Sequence, residues 1–406
     1  MDFRPRDAGF MAEAPAAYRA LRAMGPIHHE KASGIYYVLD HAIASEVVRA
    51  SDRFSSAIDR ASMRAGGLPP EVAEIRKQGW ALAPTLSHND SASHDAYRKL
   101  VSPFFLPKGL ARLRPFIAAR TDALVEGLPD SEPVEIVSRL AVPLPIAVVG
   151  ELLGMGDVGE GQLKQWSDAF ADELGFLTSD DRAIEIAQLT LACHRAMMEL
   201  VDARRGSDGS DVISTLANAE INGRPLEPGE ILSILTQLLV AGNETTTATL
   251  TFAVLRLAQD PELLARLRSN RSRISLFIEE VLRLDSPIQG QFRKAVSDER
   301  LGGVVIPAGS LLHVRFASAN RDEKVWGPDT DIVRLEGRQP AAHLAFGMGL
   351  HFCVGAALSR LELEIALNVL LSRFGDWRLA ERQAPLSFRT HFHHRNLLRL
   401  DLEFRE

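Results

Sequence analysis

The chain has 406 residues, 46% of them hydrophobic and 24% charged, an ordinary globular composition with ample material for a large core. A net charge of −7 argues against a general nucleic-acid binder. Two cysteines, Cys193 and Cys353, make no disulfide framework and agree with a reducing compartment, where a thiol can be kept for chemistry.

No stretch approaches the roughly 18 consecutive apolar residues that a membrane-spanning helix needs. The most apolar run, Leu140–Gly150, is interrupted by Pro143 and Pro145 and stopped by Glu151. The segment Met1–Pro15 mixes acids and bases without an apolar run, so no signal peptide is expected and the protein is read as cytoplasmic.

Taken in chain order, Ile35–Leu39 is β-rich. Between Ala96 and Arg120 there is no acid against six bases: Arg98, Lys99, Lys108, Arg112, Arg114 and Arg120. A basic island on an acidic protein suits an acidic partner steered in electrostatically; the plain alternative is a solvated helix face. Residues 185–204 have apolar positions at helical spacing and run into the turn Arg205–Gly209.

Glu230–Ala258 reads as a helix of about 29 residues, roughly 43 Å at 1.5 Å per residue. Ile231–Val240 is apolar nearly all round and should be buried. Ala241-Gly242-Asn243-Glu244-Thr245-Thr246-Thr247 then interrupts it with weak helix formers and a buried acid, which predicts a local kink with hydrogen-bonding groups turned inward. On its own this segment reads first as a polar patch at a helix crossing, because threonines pack well there. Asp260 caps a further helix through Arg268, with Pro261 at its first position, and Leu276–Leu284 is helical up to Ser286-Pro287.

Strands cluster beyond residue 290: Phe292–Val296, Val304–Ile306 with the turn Pro307–Gly309, and Leu311–Phe316, while the tail Ser387–Phe404 reads as paired strands. Helices through the middle with strands at both ends predict one mainly helical α+β domain over residues 1–406, with no internal repeat or linker.

The most specific segment is Phe346-Gly347-Met348-Gly349-Leu350-His351-Phe352-Cys353-Val354-Gly355, followed by a helix, Ala356–Leu371. Its glycines let backbone approach a flat ligand, and Cys353 stands just before a helix, where N–H groups and the dipole favour a thiolate. Cys193 reads instead as a buried small hydrophobe.

This segment resembles the haem-binding loop of the cytochromes P450, F-G-x-G-x-H-x-C-x-G, with every defining position filled. Ala241-Gly242-Asn243-Glu244-Thr245-Thr246 is similar to that family's distal-helix motif A-G-x-D/E-T-T, and Glu280-Val281-Leu282-Arg283 to its E-x-x-R motif. An isolated Glu–Arg pair at this spacing is ordinarily a surface ion pair; here it resembles a buried brace of the haem loop. His94 and Arg98 match its H-x-x-x-R pattern. The resemblance runs from about residue 30 onward.

It implies the P450 fold, with haem b between a long distal helix and a proximal cysteine-loop helix. It implies Cys353 as axial iron ligand and His94, Arg98, Arg293 and His351 as propionate contacts. Ala241, Phe346 and Gly347 would lie against the haem, and Thr245 and Glu244 would serve proton delivery to bound dioxygen. The implied activity is insertion of one oxygen atom of O2 into a small, largely apolar organic substrate with a polar handle. Pocket positions, by resemblance, lie around residues 57–90 and 165–190, near Val240 and Ala241, at Ile288–Gln291 and around His391. Electrons would come from an iron–sulfur ferredoxin and its reductase, since no flavin module is recognised, and a monomer is expected. A haem-thiolate peroxygenase or a non-enzymatic haem-binding ligand sensor are the competing readings.

Two departures stand out. Asp90-Ser91-Ala92-Ser93 occupies the place of the family's frequent D-P-P-E, and the arginine that often completes a triad with Glu280 and Arg283 has only Arg334 as a substitute. His391-Phe392-His393-His394 could be a metal site, although further ligands are not identifiable. Gly66-Gly67 lacks phosphate-loop spacing and reads as a flexible loop.

Overall fold

Helix ends fall where the capping side chains place them. In the computed structural model, which describes residues 5, 7, 9–58, 67–129, 132–175, 177–336 and 342–405, Ser179 accepts from Arg182 N–H to start Asp180–Ala203. Asp260 accepts from Leu263 N–H to start Pro261–Ser269. Ile274–Asp285 stops at Ser286, which takes a left-handed φ of 35° directly before Pro287. Gly66 and the pocket positions 59–66 and 176 lie outside the described residues.

The long helix spans Pro228–Gln259, 32 residues, and is continuous through 241–247. The expected kink does not break it. Thr249 and Thr251 return their hydroxyls to the carbonyls of Thr245 and Thr247, both at 2.8 Å, which accommodates threonines inside a helix.

The chain divides into two compact units, each built from separate segments, and the long helix begins in one and ends in the other. The first unit (1–56, 117–144, 245–406) holds a five-stranded sheet in the order Ile27–Glu30, Ile35–Val38, Leu311–Val314, Gln291–Ala295, Phe54–Ser55. Leu311–Val314 runs parallel to Ile35–Val38, and the remaining pairs are antiparallel. Val38, Phe54, Ala295, Leu312 and Val314 bury their side chains with Val47 and Val48 of the helix His41–Arg49. The expected strand to Phe316 ends at Val314, and Phe316–Ala319 is a short helix.

The tail departs from the expected strand pair. Only Asp401–Arg405 is a strand there, and it pairs with Asp376–Leu379 and Val134–Glu135 in a three-stranded sheet. Phe388 and Leu397 make an isolated bridge, flanked by Arg389 N–H to Asn396 O (2.9 Å) and Leu398 N–H to Ser387 O (3.0 Å), while the tip beyond them is held by distant partners. Gln289 N–H donates to His393 O (2.7 Å) and Arg395 N–H to Pro287 O (3.0 Å). The strand-like segment therefore pairs with itself only at its base, and its tip is held by the chain at Pro287 and Gln289.

The second unit (57–116, 145–244) is helical except for the pair Glu220–Ile221 and Arg224–Pro225. Its helices Glu160–Gly175 and Asp180–Ala203 pack together, with Arg182 on Asp172 at 2.7 Å. Gly229, at the start of the long helix, is a glycine because a Cβ there would stand 2.0 Å from the carbonyl oxygen of Ala81.

Candidate active site

The cysteine loop is shaped by backbone that only glycine adopts easily. Gly347 and Gly349 have φ of 67° and 70°, and a Cβ on Gly349 would stand 3.0 Å from the Val48 carbonyl. Cys353 N–H closes the loop on Phe346 O at 2.9 Å, and the helix Ala356–Arg373 starts three residues later. The Cys353 thiol is exposed, whereas Cys193 is buried in the core and burial pushes its thiol up. His351 Nε2 lies 3.0 Å from Ser56 Oγ. The Arg360 guanidinium covers the Phe346 ring, 4.5 Å from its centroid.

The loop sits on two braces. Glu280 and Arg283 are fully buried, with Nε to Oε1 at 2.7 Å and Nη2 to Oε2 at 2.9 Å. The remaining Arg283 donors go to the carbonyls of Asn320, Thr330 and Ile332, so the guanidinium is satisfied on every side. Arg334 does join the pair, but through its backbone: its N–H donates to Glu280 Oε2 at 2.9 Å, while its side chain pairs with Asp329. A main-chain amide thus stands where the sequence suggested a third charged side chain.

The second brace has no counterpart among the sequence expectations. Glu279, beside the E-x-x-R glutamate, bonds Arg360 at two points and lies 3.2 Å from His343 Nε2. Burial would raise its carboxyl, but the Arg360 and His343 partners outweigh this and hold it at about 2. The i,i+1 neighbour of a motif residue carries no helical-face signal of its own, which is why spacing does not reveal it.

In the first unit, Thr246 of the long helix places Oγ1 3.2 Å from Ser359 Oγ of the helix after Cys353, which brings Thr245 and the cysteine helix into one neighbourhood. Arg293 is buried in the five-stranded sheet, Nη1 donating to Phe292 O. In the second unit, Glu244 is buried against Lys164 (3.3 Å), which also bonds Asp168 at 2.5 Å. Asn243 Nδ2 donates to Ser167 Oγ, and Ala241 is exposed on the same helix. Gly242 packs close: a Cβ there would meet Val149 Cγ2 at 3.0 Å. Lys164 is not evident from the sequence, because with Asp168 at i+4 it has the form of an ordinary surface pair.

His94 and Arg98 occupy one helix, Ser93–Phe105, one turn apart; His94 is buried with Nδ1 3.3 Å from Asp95, and Arg98 is half-buried. Lys99, Lys108, Arg112 and Arg114 of the basic island are exposed. The histidine run does not chelate a metal. His391 and His394 stack face to face at 4.3 Å and 8°, so their in-plane lone pairs do not converge. Among the described residues no group of three or more His, Cys, Asp or Glu could hold a metal ion.

An accessible thiol at a helix N-terminus, glycines that open the backbone before it, and a buried guanidinium in the same unit fit a thiolate-bound haem. Helices with small sheets around such a loop define a haem-thiolate oxidoreductase. Similarity to known proteins agrees. Residues 158–399 match the Cytochrome P450 family model. Curated relatives include Cytochrome P450 107B1 of Saccharopolyspora erythraea, 36% identical over 355 residues, 87% of this chain and 82% of that protein. Linalool 8-monooxygenase of Pseudomonas putida is 32% identical and covers 92% of both chains. Among solved structures, cytochrome P450 CYP109Q5 from Chondromyces apiculatus superposes with a TM-score of 0.86 at 30% identity, covering 100% of this chain and 98% of that one. Cytochrome P450 CREJ in complex with (4-ethylphenyl) dihydrogen phosphate reaches 0.91 at 26% identity, covering 99% of both. The chain belongs to the cytochrome P450 family, whose members bind haem b. Among the described residues no helix is long and apolar enough to cross a membrane.

Proposed function

We propose that this enzyme is a monooxygenase that hydroxylates a small, largely apolar molecule with a polar handle, using O2 and electrons from an iron–sulfur ferredoxin and its reductase. The observation that carries the reading is the exposed Cys353 thiol at the head of the helix Ala356–Arg373, in a loop braced by Glu280–Arg283 and Glu279–Arg360. Cys353 would hold the haem iron by its thiolate, Phe346 and Gly347 would pack against the haem, and His94, Arg98, Arg293 and His351 would donate to its propionates. When bound, the thiolate-ligated haem iron activates dioxygen for attack on substrate carbon.

The chain's own contribution is to hold protons and exclude water. Thr245 is half-buried on the long helix, and Ala241 would line the same helix against the cofactor. Glu244, adjacent to Thr245, holds its carboxylate on Lys164, which gives a buried acid a charged partner and a route for proton exchange through a half-buried lysine. This acid–hydroxyl pair favours O2-dependent turnover over direct use of peroxide, and a catalytic apparatus of this kind has no purpose in a ligand sensor. The exposed bases Lys99, Lys108, Arg112 and Arg114 offer the ferredoxin a docking face. The relatives' names, which speak of linalool and of (4-ethylphenyl) dihydrogen phosphate, support an apolar skeleton bearing a polar group. We take the chain as a single domain, because neither unit is a continuous stretch, acting as a cytoplasmic monomer.

The test is the carbon monoxide difference spectrum of the dithionite-reduced holoprotein. The red-shifted Soret band of thiolate ligation is expected in wild type and its loss in Cys353→Ala. A histidine-type band in haem-replete wild type overturns the ligand assignment. Substrate-dependent oxidation with ferredoxin and reductase, absent without O2, then separates monooxygenase from peroxygenase and sensor.

A further inference from the structure

We infer that Gln237 is a positioning residue: it clasps the segment 81–88 to the long helix and thereby sets the size of molecule that reaches the cofactor from that side. The inference rests on the reading above, which puts Ala241, His94 and Arg98 against the haem. The segment has neither helix nor strand and runs between the helices Pro70–Arg76 and Ser93–Phe105. It tracks one stripe of the long helix. Ala83 N–H donates to Gly229 O at 3.3 Å, Thr85 Oγ1 lies 3.1 Å from Ser233 Oγ, and Ser87 N–H donates to Gln237 Oε1 at 2.9 Å. Residues 229, 233 and 237 follow at i,i+4, so this strap advances two residues for each step of four along the helix. The lengths match, about 6.6 Å of extended chain against about 6 Å of helix.

The polar groups of the clasp are committed to one another. Gln237 Nε2 donates to Ser233 O at 2.9 Å and lies 2.8 Å from Thr85 Oγ1 and 3.0 Å from Ser233 Oγ. Its Oε1 accepts from Ser87 Oγ (2.7 Å) as well as from Ser87 N–H. A carbonyl only accepts and a backbone N–H only donates, so these two one-way partners fix which end of the amide is which. Both ends are occupied within the clasp, which makes Gln237 a residue that holds chain instead of one that reads a substrate. Thr85 and Ser233 are buried, where a polar group deprived of its partner is costly. Among the described residues, every hydrogen bond that ties 84–87 to the long helix passes through Gln237 or Ser233.

The place of the clasp gives it its consequence. The next position of the stripe after Gln237 is Ala241, again at i,i+4. At its far end the strap turns into the helix of His94 and Arg98 through Asn89, whose Oδ1 accepts from Ser91 N–H and whose Nδ2 donates to Ser93 Oγ, both at 2.9 Å. The strap therefore runs from the start of the long helix to the cofactor residues of its own unit. Its first part is fixed by backbone, at Gly229, and its end by the Asn89 turn; its middle depends on side chains. A segment held in this way opens locally at lower cost than one held by a backbone ladder. A wide molecule needs that opening where a narrow one does not.

The test uses the haem-replete holoprotein, two iron-binding probes of unlike width, imidazole and clotrimazole, and amide hydrogen exchange of the strap. In Gln237→Leu, which keeps the bulk and removes the bonds, exchange of the amides of residues 85–88 should rise fivefold or more. The stopped-flow association rate of clotrimazole should rise fivefold or more, that of imidazole should stay within twofold, and the carbon monoxide spectrum should not change. Thr85→Val should give a smaller effect of the same kind. Added to Gln237→Leu it should change the clotrimazole rate less than twofold, because both act through one clasp. If Gln237→Leu does not accumulate with haem, Gln237→Glu is read in its place, since a carboxylate oxygen then faces Ser233 O. Unchanged strap exchange overturns the clasp. Raised exchange with clotrimazole entry within twofold of wild type, or equal acceleration of both probes, overturns its control of admission. A wild type without the thiolate band removes the Cys353 assignment, while strap exchange still decides the clasp.

Discussion

Glu279 and Arg360 are joined at two points, Nε to Oε1 at 2.6 Å and Nη2 to Oε2 at 2.9 Å, so that the helix preceding Ser286 is tied directly to the helix that follows Cys353. Because the same guanidinium lies over Phe346, one side chain fixes both ends of the cysteine loop.

Arg360→Met should therefore loosen the loop and destabilise the protein at neutral pH. The Glu279 carboxyl is held at about 2, below its unfolded value, so its stabilisation is present above the unfolded pKa near ~4.3 and is lost as pH falls towards 2. Melting temperatures of wild type and variant are expected to differ most at pH 6–7 and to converge as pH falls below about 3. A constant difference across that range would mean that packing, not the ion pair, carries the effect.

The Glu280–Arg283 pair has no exposure to solvent, so removing one partner strands the other as a buried charge. Arg283→Ala is expected to cost on the order of 3–5 kcal/mol and to abolish accumulation of haem-loaded protein. The readout is the ratio of Soret to protein absorbance after purification. A variant with wild-type haem content would show that the brace is dispensable.

Thr245→Ala and Glu244→Gln should leave haem content and the carbon monoxide spectrum unchanged and lower the product formed per electron consumed several-fold, with hydrogen peroxide rising in step. Lys164→Met should do the same to a smaller degree, because Lys164 holds the Glu244 carboxylate without neighbouring the hydroxyl. Wild-type coupling in Thr245→Ala would remove that residue from proton delivery.

Glu362, on the helix after Cys353, is buried, and burial alone raises its carboxyl well above the ordinary value. An acid with a raised folded pKa contributes its stability below the unfolded pKa and loses it as pH rises towards the folded value. Wild type should accordingly soften from pH 5 to pH 8, and Glu362→Gln should flatten that slope and raise the melting temperature at pH 8 by roughly 2–4 °C. An unchanged slope would show that Glu362 is ionised and partnered in solution.

Much of the site is legible in the sequence because its chemistry is local. The loop Phe346–Gly355 needs positive φ at two of its glycines and a cysteine ahead of a helix, and both requirements are written within ten residues. The i,i+3 spacing of Glu280 and Arg283 and the i,i+4 spacing of His94 and Arg98 put each pair on one helical face by the helical period alone. The tail is misread because alternation of residue types cannot say which backbone a strand-like segment will bond. There, Pro287 and Gln289 compete for the hydrogen bonds that a hairpin would have used.

By itself, then, the sequence determined the family, the cysteine loop ahead of its helix, the helical frame and its caps, since these depend on short-range geometry and on residues close in the chain. Tertiary structure alone decided that Glu279 holds Arg360, that Lys164 holds Glu244, that Arg334 completes the brace by its amide, and that His391 and His394 stack instead of chelating. Each joins side chains whose separation is set by packing, and a charge finds its partner only once burial has removed water as the alternative.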